Sequence, residues 1–164
     1  MRFCSCCLQL FQAPAGIFKH FRNGFPTGIG AIPVLTSTMA IVGTGIDICE
    51  VARIREAIER FGERFLKRVF TGAEREYCES KRNRIERYAA RFAAKEAAMK
   101  AIGTGLRRGV SWQDFEIARE PGGRPTLIIR GKAAEFAARL GMKRAALSIS
   151  HTREQAMAQV ILES

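Results

Sequence analysis

The 164-residue chain carries 27 Lys and Arg against 16 Asp and Glu, a formal net charge of +11, with 47% hydrophobic and 26% charged residues. Such a composition suits one soluble domain with its own core and argues against a disordered chain, while the excess of positive charge favours an anionic partner: nucleic acid, a phosphate-rich cofactor, an acidic protein or anionic lipid. Of the five cysteines, Cys4, Cys6 and Cys7 crowd the start while Cys49 and Cys78 stand alone, without CxxC pairs or a histidine at ligand spacing, which excludes a disulfide framework and a zinc site.

Residues 1–38 contain no Asp or Glu and mix Gly, Pro and Thr with scattered apolar residues, so they are expected to be a leader or a mis-assigned N-terminal extension. The apolar run Leu8 to Phe11 is too short for a membrane span and, interrupted by Gln9 and Gln12, poor as a signal peptide. An upstream translation start, with the working protein beginning at Met39, is favoured over an organelle-targeting presequence, which would be richer in Arg and Ser. Only Arg2, Lys19 and Arg22 of the basic residues fall in this stretch, so the basic character belongs to the domain expected over residues 39–164.

Ile41 to Ile48 reads as a short strand in which Ile46 and Ile48 alternate with Asp47, so one face is apolar and the other presents a carboxylate. From Val51 the spacing turns helical, with Val51, Ile54, Ile58, Phe61 and Phe65 as a core stripe and a possible interruption at Gly62. Arg53, Arg60, Arg64 and Arg68 recur on another face, either as a plain solvated row or as a docking surface. Thr71-Gly72-Ala73-Glu74 is a capping box opening a helix to about Ser80, and Lys81, Arg82 and Arg84 follow as a basic loop. The longest helix runs from Arg84 or Ile85 to Ala101, is rich in alanine and ends before Gly103. Trp112 to Ile117 leads into a strand; Glu120 to Pro125 is a turn before a second strand, Thr126 to Ile129. A helix over Lys132 to Leu140 precedes strands at Ala145 to Ile149 and Ala156 to Leu162, joined around His151 and Thr152. Helices and mostly antiparallel strands interleave irregularly, which is an α+β pattern.

Phe92, Glu96 and Lys100 are successive i, i+4 neighbours, so a ring, a carboxylate and an ammonium share one helix face. Asp47 between isoleucines and Glu96 among alanines are poorly explained by solubility, and two converging carboxylates suit Mg²⁺, a hard cation completed by phosphate and water. The plainer alternatives are a helical salt bridge between Glu96 and Lys100, and Asp47 as a helix cap. His151 follows Ser150 at a strand end, where imidazole, hydroxyl and loop amides can engage a phosphate or a base, or simply form polar surface. Gly43-Thr44-Gly45 lacks the third glycine of the dinucleotide fingerprint, and no P-loop, zincin or hydrolase-elbow motif is present.

Taken together, Gly45-Ile46-Asp47-Ile48, Arg53-Ile54, Phe70 to Glu74, Arg91-Phe92-Ala93-Ala94-Lys95-Glu96-Ala97, Lys100 to Gly105 and Ser148-Ile149-Ser150-His151-Thr152 resemble, in order and spacing, the holo-acyl-carrier-protein synthases, the small bacterial type of 4′-phosphopantetheinyl transferase. The resemblance spans about Ala40 to Glu163. It implies the 4′-phosphopantetheinyl transferase fold, a small mostly antiparallel sheet with a long helix, usually assembled as a homotrimer with active sites between subunits. It implies transfer of the phosphopantetheine arm from coenzyme A to a serine of apo acyl carrier protein in fatty acid biosynthesis. Asp47 and Glu96 match the family's Mg²⁺ ligands, Glu96 is a candidate general base, and Lys100 is expected to meet the phosphate. His151 and Thr152 match nucleotide contacts, and Arg91 with the basic loop near Lys81 to Arg84 is expected to meet the phosphates of coenzyme A.

Within that reading the arginine row Arg53, Arg60, Arg64 and Arg68 acquires an acidic partner in acyl carrier protein, with an encounter rate that falls with salt. A start at Met39 implies the cytoplasm, with no membrane and no nucleic acid as partner. The competing reading is a basic RNA-binding domain; against it, no aromatic residues interleave with the basic ones as a stacking platform would require.

Overall fold

A computed structural model describes residues 39–164, so the expected leader lies outside the described residues. The elements are β1 (Ile41–Glu50), α1 (Val51–Val69), α2 (Gly72–Glu79), α3 (Arg84–Ile102), a 3-10 turn (Trp112–Asp114), β2 (Phe115–Arg119), β3 (Pro125–Ile129), α4 (Gly131–Arg139), β4 (Arg144–His151) and β5 (Gln155–Glu163). This is the α+β arrangement expected, with every strand pair antiparallel: a three-stranded sheet ordered β1-β5-β4 and a separate ribbon of β2 and β3.

In β5 the alternation is complete: Ala156, Ala158, Val160 and Leu162 are buried while Gln155, Met157 and Gln159 face out. Register then carries the pattern to both neighbours, since Ala158 stands opposite Asp47 on β1 and Ile149 on β4, and Ala156 opposite Cys49 and His151. Asp47, Ile149 and His151 therefore share the inner face of the sheet, on which α3 packs. The outer face leaves Ile46, Ile48 and Met157 exposed.

Alanine dictates how closely α3 lies on that sheet. Ala89, Ala90, Ala93, Ala94, Ala97, Ala98 and Ala101 are all buried. Opposite them, Gly43 and Gly45 of β1 carry no side chain because none would fit: a Cβ at Gly45 would stand 2.0 Å from the Ala97 carbonyl oxygen, and one at Gly43 2.2 Å from that of Ala101. Gly43-Thr44-Gly45 is thus a site of backbone contact between strand and helix. Gly103, at φ 74°, closes α3 as a left-handed cap.

α1 departs from the expected stripe. Gly62, at φ 53° and ψ −137°, breaks the helix in a region of backbone space that favours glycine. Beyond the break the buried positions become Leu66 and Val69, while Phe61 is 52% exposed and Phe65 only half-buried. The break also divides the arginine row, with Arg53 and Arg60 on one segment and Arg64 and Arg68 on the other; all four are exposed.

The capping box of α2 forms as expected: the Thr71 amide donates to Glu74 Oε2 at 2.8 Å and the Glu74 amide to Thr71 Oγ1 at 3.3 Å. Glu74 has a second task, because Lys95 Nζ lies 2.7 Å from the same Oε2 and the Ile117 amide donates to Oε1 at 2.9 Å. Lys95 also donates to the carbonyls of Val69 and Trp112. Both charged side chains are fully buried, and together they tie α1, α2, α3, the 3-10 turn and β2. Burial draws the Lys95 ammonium below its ordinary pKa, and the Glu74 carboxylate counters it. Gln113 completes the end of α1 by donating to the Lys67 and Phe70 carbonyls.

Candidate active site

Asp47 is delivered by β1 and Glu96 and Lys100 by α3, whose close seat on the two glycines brings the three together. Lys100 Nζ donates to Asp47 Oδ1 at 2.8 Å and to the Ile46 carbonyl at 2.9 Å. The expected alternatives for these residues are therefore corrected: the ammonium pairs with Asp47, and Asp47 does not cap α1, whose N-cap Glu50 has no side-chain cap.

Glu96 is half-buried, and its carboxyl is pushed above the ordinary value, first by burial and then by the negative charge of Asp47; Lys100 and Arg53 pull it back. Of the arginine row on α1, Arg53 is the one whose charge acts on Glu96. Cys49, on the same strand as Asp47, is buried, and its thiol is pushed up to about 11, chiefly by desolvation, so it is no nucleophile at neutral pH. Among the described residues no group of three or more His, Cys, Asp or Glu stands as a metal cluster. The donors are a pair of carboxylates, which suits a hard cation that takes its remaining ligands from substrate phosphate and water.

At the far edge of the sheet a second group gathers. Arg91 of α3, His151 of β4, and Arg87 and Arg119 line a cavity of about 160 Å³ with Pro125 and Ile149. Arg91 and His151, expected to meet the nucleotide, are thus brought together. Asp47 and His151 sit on opposite edge strands with β5 between them, a separation of about 10 Å across the sheet. Thr152 is turned to local use: its hydroxyl accepts from the Glu154 and Gln155 amides and so builds the β4–β5 turn. In the basic loop, Arg84 is committed to Glu79 at 2.8 Å, while Lys81 lies over the Tyr77 ring.

Arg64 and Arg68 flank a groove of about 500 Å³ lined by Phe61, Phe65, Phe92 and Trp112. Phe92 and Trp112 pack ring on ring at 4.8 Å, and Arg60 lies over the Phe61 ring. The helical row Phe92, Glu96, Lys100 thus runs from this groove to the carboxylate site. Three features escaped the sequence: the Lys95–Glu74 strut, Gln113, and the cavity residues Arg87 and Arg119 with the Tyr77 ring that Arg91 and Arg119 pack on. Lys95 had a signal, a lysine amid alanines on the buried face of a long helix; the others lie far apart in the chain and had none.

Residues 43–160 match the family model of the 4′-phosphopantetheinyl transferase superfamily. The chain is 66% identical over 123 residues to a holo-[acyl-carrier-protein] synthase of Koribacter versatilis, covering 75% of this chain and 98% of that protein, and 60% identical to one of Solibacter usitatus, covering 76% and 99%. Among solved structures it is similar to the holo-[acyl-carrier-protein] synthase of Neisseria meningitidis, with a TM-score of 0.70 at 33% identity over 76% of this chain and all of that one. It is also similar to that of Bacillus anthracis in complex with coenzyme A (3′,5′-ADP), with a TM-score of 0.63 at 40% identity over 76% of this chain and 97% of that one.

Proposed function

The chain belongs to the 4′-phosphopantetheinyl transferase superfamily, and from that membership we infer that it is a holo-acyl-carrier-protein synthase. It transfers the 4′-phosphopantetheine group of coenzyme A to a serine hydroxyl of apo acyl carrier protein and releases adenosine 3′,5′-bisphosphate. The observation that carries the reading is the meeting of Asp47, Glu96 and Lys100 from two elements at one place.

Asp47 and Glu96 are the residues that would hold Mg²⁺, and the metal when bound supplies positive charge to the pyrophosphate of coenzyme A. The chain's own groups do the rest. Glu96 takes the proton of the incoming serine, directly or through water, and its raised pKa brings it closer to the strength a base needs at neutral pH. The serine oxygen bonds to the phosphorus carrying pantetheine as the bridging P–O bond breaks, and the electron pair leaves with the adenosine 3′,5′-bisphosphate. Lys100, anchored by Asp47 and the Ile46 carbonyl, presents its ammonium to the developing charge.

Carrier binding is assigned to the groove between Arg64 and Arg68, where an apolar floor and two exposed cations suit an acidic amphipathic helix. Arg60, stacked on Phe61, extends that positive rim, whereas Arg53, whose charge acts on Glu96, is assigned to the junction of carrier and catalytic carboxylates. Nucleotide binding is assigned to Arg91 and His151, with Thr152 shaping the turn beside them. Because this half-site lies across the sheet from Asp47, and the outer sheet face leaves Ile46, Ile48 and Met157 uncovered, the active form is a homotrimer with each site completed by a neighbour. Residues 39–164 are the transferase domain. Among the described residues no helix is long and apolar enough to cross a membrane, and the compartment that holds coenzyme A and the fatty acid carrier, the bacterial cytoplasm, is the place of action. The family membership leaves the RNA-binding reading without support.

The test is intact-mass analysis of purified apo acyl carrier protein incubated with the protein, coenzyme A and Mg²⁺, with sedimentation of the same sample. Gain of one phosphopantetheine, lost with chelator, is the expected result; no gain by any of several carriers refutes the transferase, and a stable active monomer refutes the trimer.

A further inference from the structure

The ring of Tyr77 has three cations around it: Arg91 at 4.2 Å, Lys81 at 5.1 Å and Arg119 at 5.4 Å from the centroid. The Tyr77 hydroxyl in addition accepts a hydrogen bond from Arg119, and the other Arg119 nitrogen donates to the Gly123 carbonyl in the β2–β3 turn. Each guanidinium is therefore fixed in place before any ligand arrives. Arg91 is only 5% exposed, yet its Nε has no partner. Among the described residues, neither Arg91 nor Arg119 nor Lys81 makes an ion pair with a carboxylate, and no acidic residue lines the cavity that Arg91 and Arg119 share with Arg87 and His151. Like charges gathered around one ring repel each other, and the quadrupole of a single tyrosine offsets only part of that repulsion. A buried guanidinium that faces such a cavity with a free Nε, its Nη1 reaching only the Arg87 carbonyl at 3.5 Å, is what a strongly anionic group would satisfy.

Coenzyme A has two anionic parts. Its pyrophosphate belongs with the Asp47 and Glu96 pair, because two carboxylates admit an anion only through a cation. Its 3′-phosphomonoester is the more densely charged and needs a nest of fixed donors without carboxylates. We propose that Arg119 is a specificity-determining residue for that 3′-phosphate, and that Tyr77 is the positioning residue holding Arg119 and Arg91 in register for it. This rests on the transferase reading above and adds to it how the enzyme tells coenzyme A from dephospho-coenzyme A, which lacks only that phosphate.

The experiment compares kcat/KM for the two substrates in the wild-type enzyme and in Arg119→Gln, Tyr77→Phe and Tyr77→Leu, alongside calorimetric binding of 3′,5′-ADP and 5′-AMP to each. The wild type prefers coenzyme A. Arg119→Gln loses about 10- to 100-fold with coenzyme A, the range expected for a charge-assisted contact, and little with dephospho-coenzyme A. Tyr77→Phe, which keeps the ring, retains part of the preference, and Tyr77→Leu retains none, with kcat held in both. Equal losses on both substrates would transfer the cavity to the shared pyrophosphate, and an unchanged preference would remove Tyr77 and Arg119 from recognition; either overturns the proposal while leaving the transferase intact. If no variant nor the wild type transfers phosphopantetheine, the underlying reading has failed, and the cavity is judged by calorimetry alone: loss of the preference for 3′,5′-ADP over 5′-AMP in Arg119→Gln upholds the site, and no loss rejects it.

Discussion

Lys100 and Asp47 are 53 residues apart in the chain and 2.8 Å apart in space. Their pairing neutralises one of two neighbouring carboxylates, and Lys100 is more than half exposed while Asp47 is largely covered, so the ammonium is the mobile partner. Replacing Lys100 by Met is expected to leave the fold intact, since an exposed ion pair contributes little to stability. It should lower kcat about 10²- to 10³-fold by removing a charge from the departing phosphate. A thermal melt and a steady-state assay check both halves.

Glu96 to Gln keeps the shape of the side chain and removes the carboxylate proposed as both base and metal ligand. Transfer should fall by about 10²- to 10⁴-fold, while calorimetric binding of 3′,5′-ADP, proposed to use the Arg91 and His151 edge, persists. Loss of 3′,5′-ADP binding in this variant would argue against separate nucleotide and catalytic half-sites.

The raised Glu96 pKa sets the sign of the pH response. A carboxyl that holds its proton to higher pH reaches its basic form later, so activity should decline on acidification at a pH above that of an ordinary carboxylate. Arg53 and Lys100 pull that pKa down, so Arg53→Gln should move the decline to still higher pH. Titration of the Glu96 carboxyl carbon by NMR, in metal-free protein, reads the shift; movement to lower pH would contradict the placement of Arg53.

Lys95→Met removes one partner from a fully buried pair and strands the Glu74 carboxylate. A cost of about 3–5 kcal/mol is expected, visible in chemical denaturation, and the double replacement of Lys95 and Glu74 by Met and Leu should recover much of it. Additive losses would mean that the two residues act independently.

For the carrier, Arg64→Glu and Arg68→Glu should raise KM for acyl carrier protein far more than for coenzyme A, and the effect should shrink as salt is added. Arg53→Glu is a poorer test, since its charge also acts on Glu96. Parallel changes in both KM values would detach the groove from carrier binding.

Much of this was legible in the sequence because it was local. The Thr71 box, the glycine closing α3 and the strand over Ala156 to Leu162 each depend on neighbours within a few residues, and each formed as expected. Asp47, Glu96, Arg91 and His151 were visible through order and spacing. The tertiary uses of the same residues were not: the alanines around Lys95 hint that it is buried, but nothing local names Glu74 as its partner or Asp47 as that of Lys100. Phe61 fitted the apolar stripe yet stands exposed just before the break at Gly62, and that break split an arginine row that was even in sequence. The spacing of Gly43 and Gly45 ruled out a dinucleotide loop but could not show what the glycines are for, because a glycine that admits a ligand and one that admits a helix are spelled alike.

The contact of those two glycines with the Ala97 and Ala101 carbonyls has a bearing on how the enzyme could change. Where side chains separate two elements, drift in the core alters their spacing by fractions of an ångström and carries the catalytic groups with it. Here main chain rests on main chain, so the gap between Asp47 and Glu96 has a hard floor that core repacking elsewhere does not reach. Substitutions elsewhere around α3 should therefore leave that spacing in place, and a change of acceptor would have to be won at the side chains that line the site.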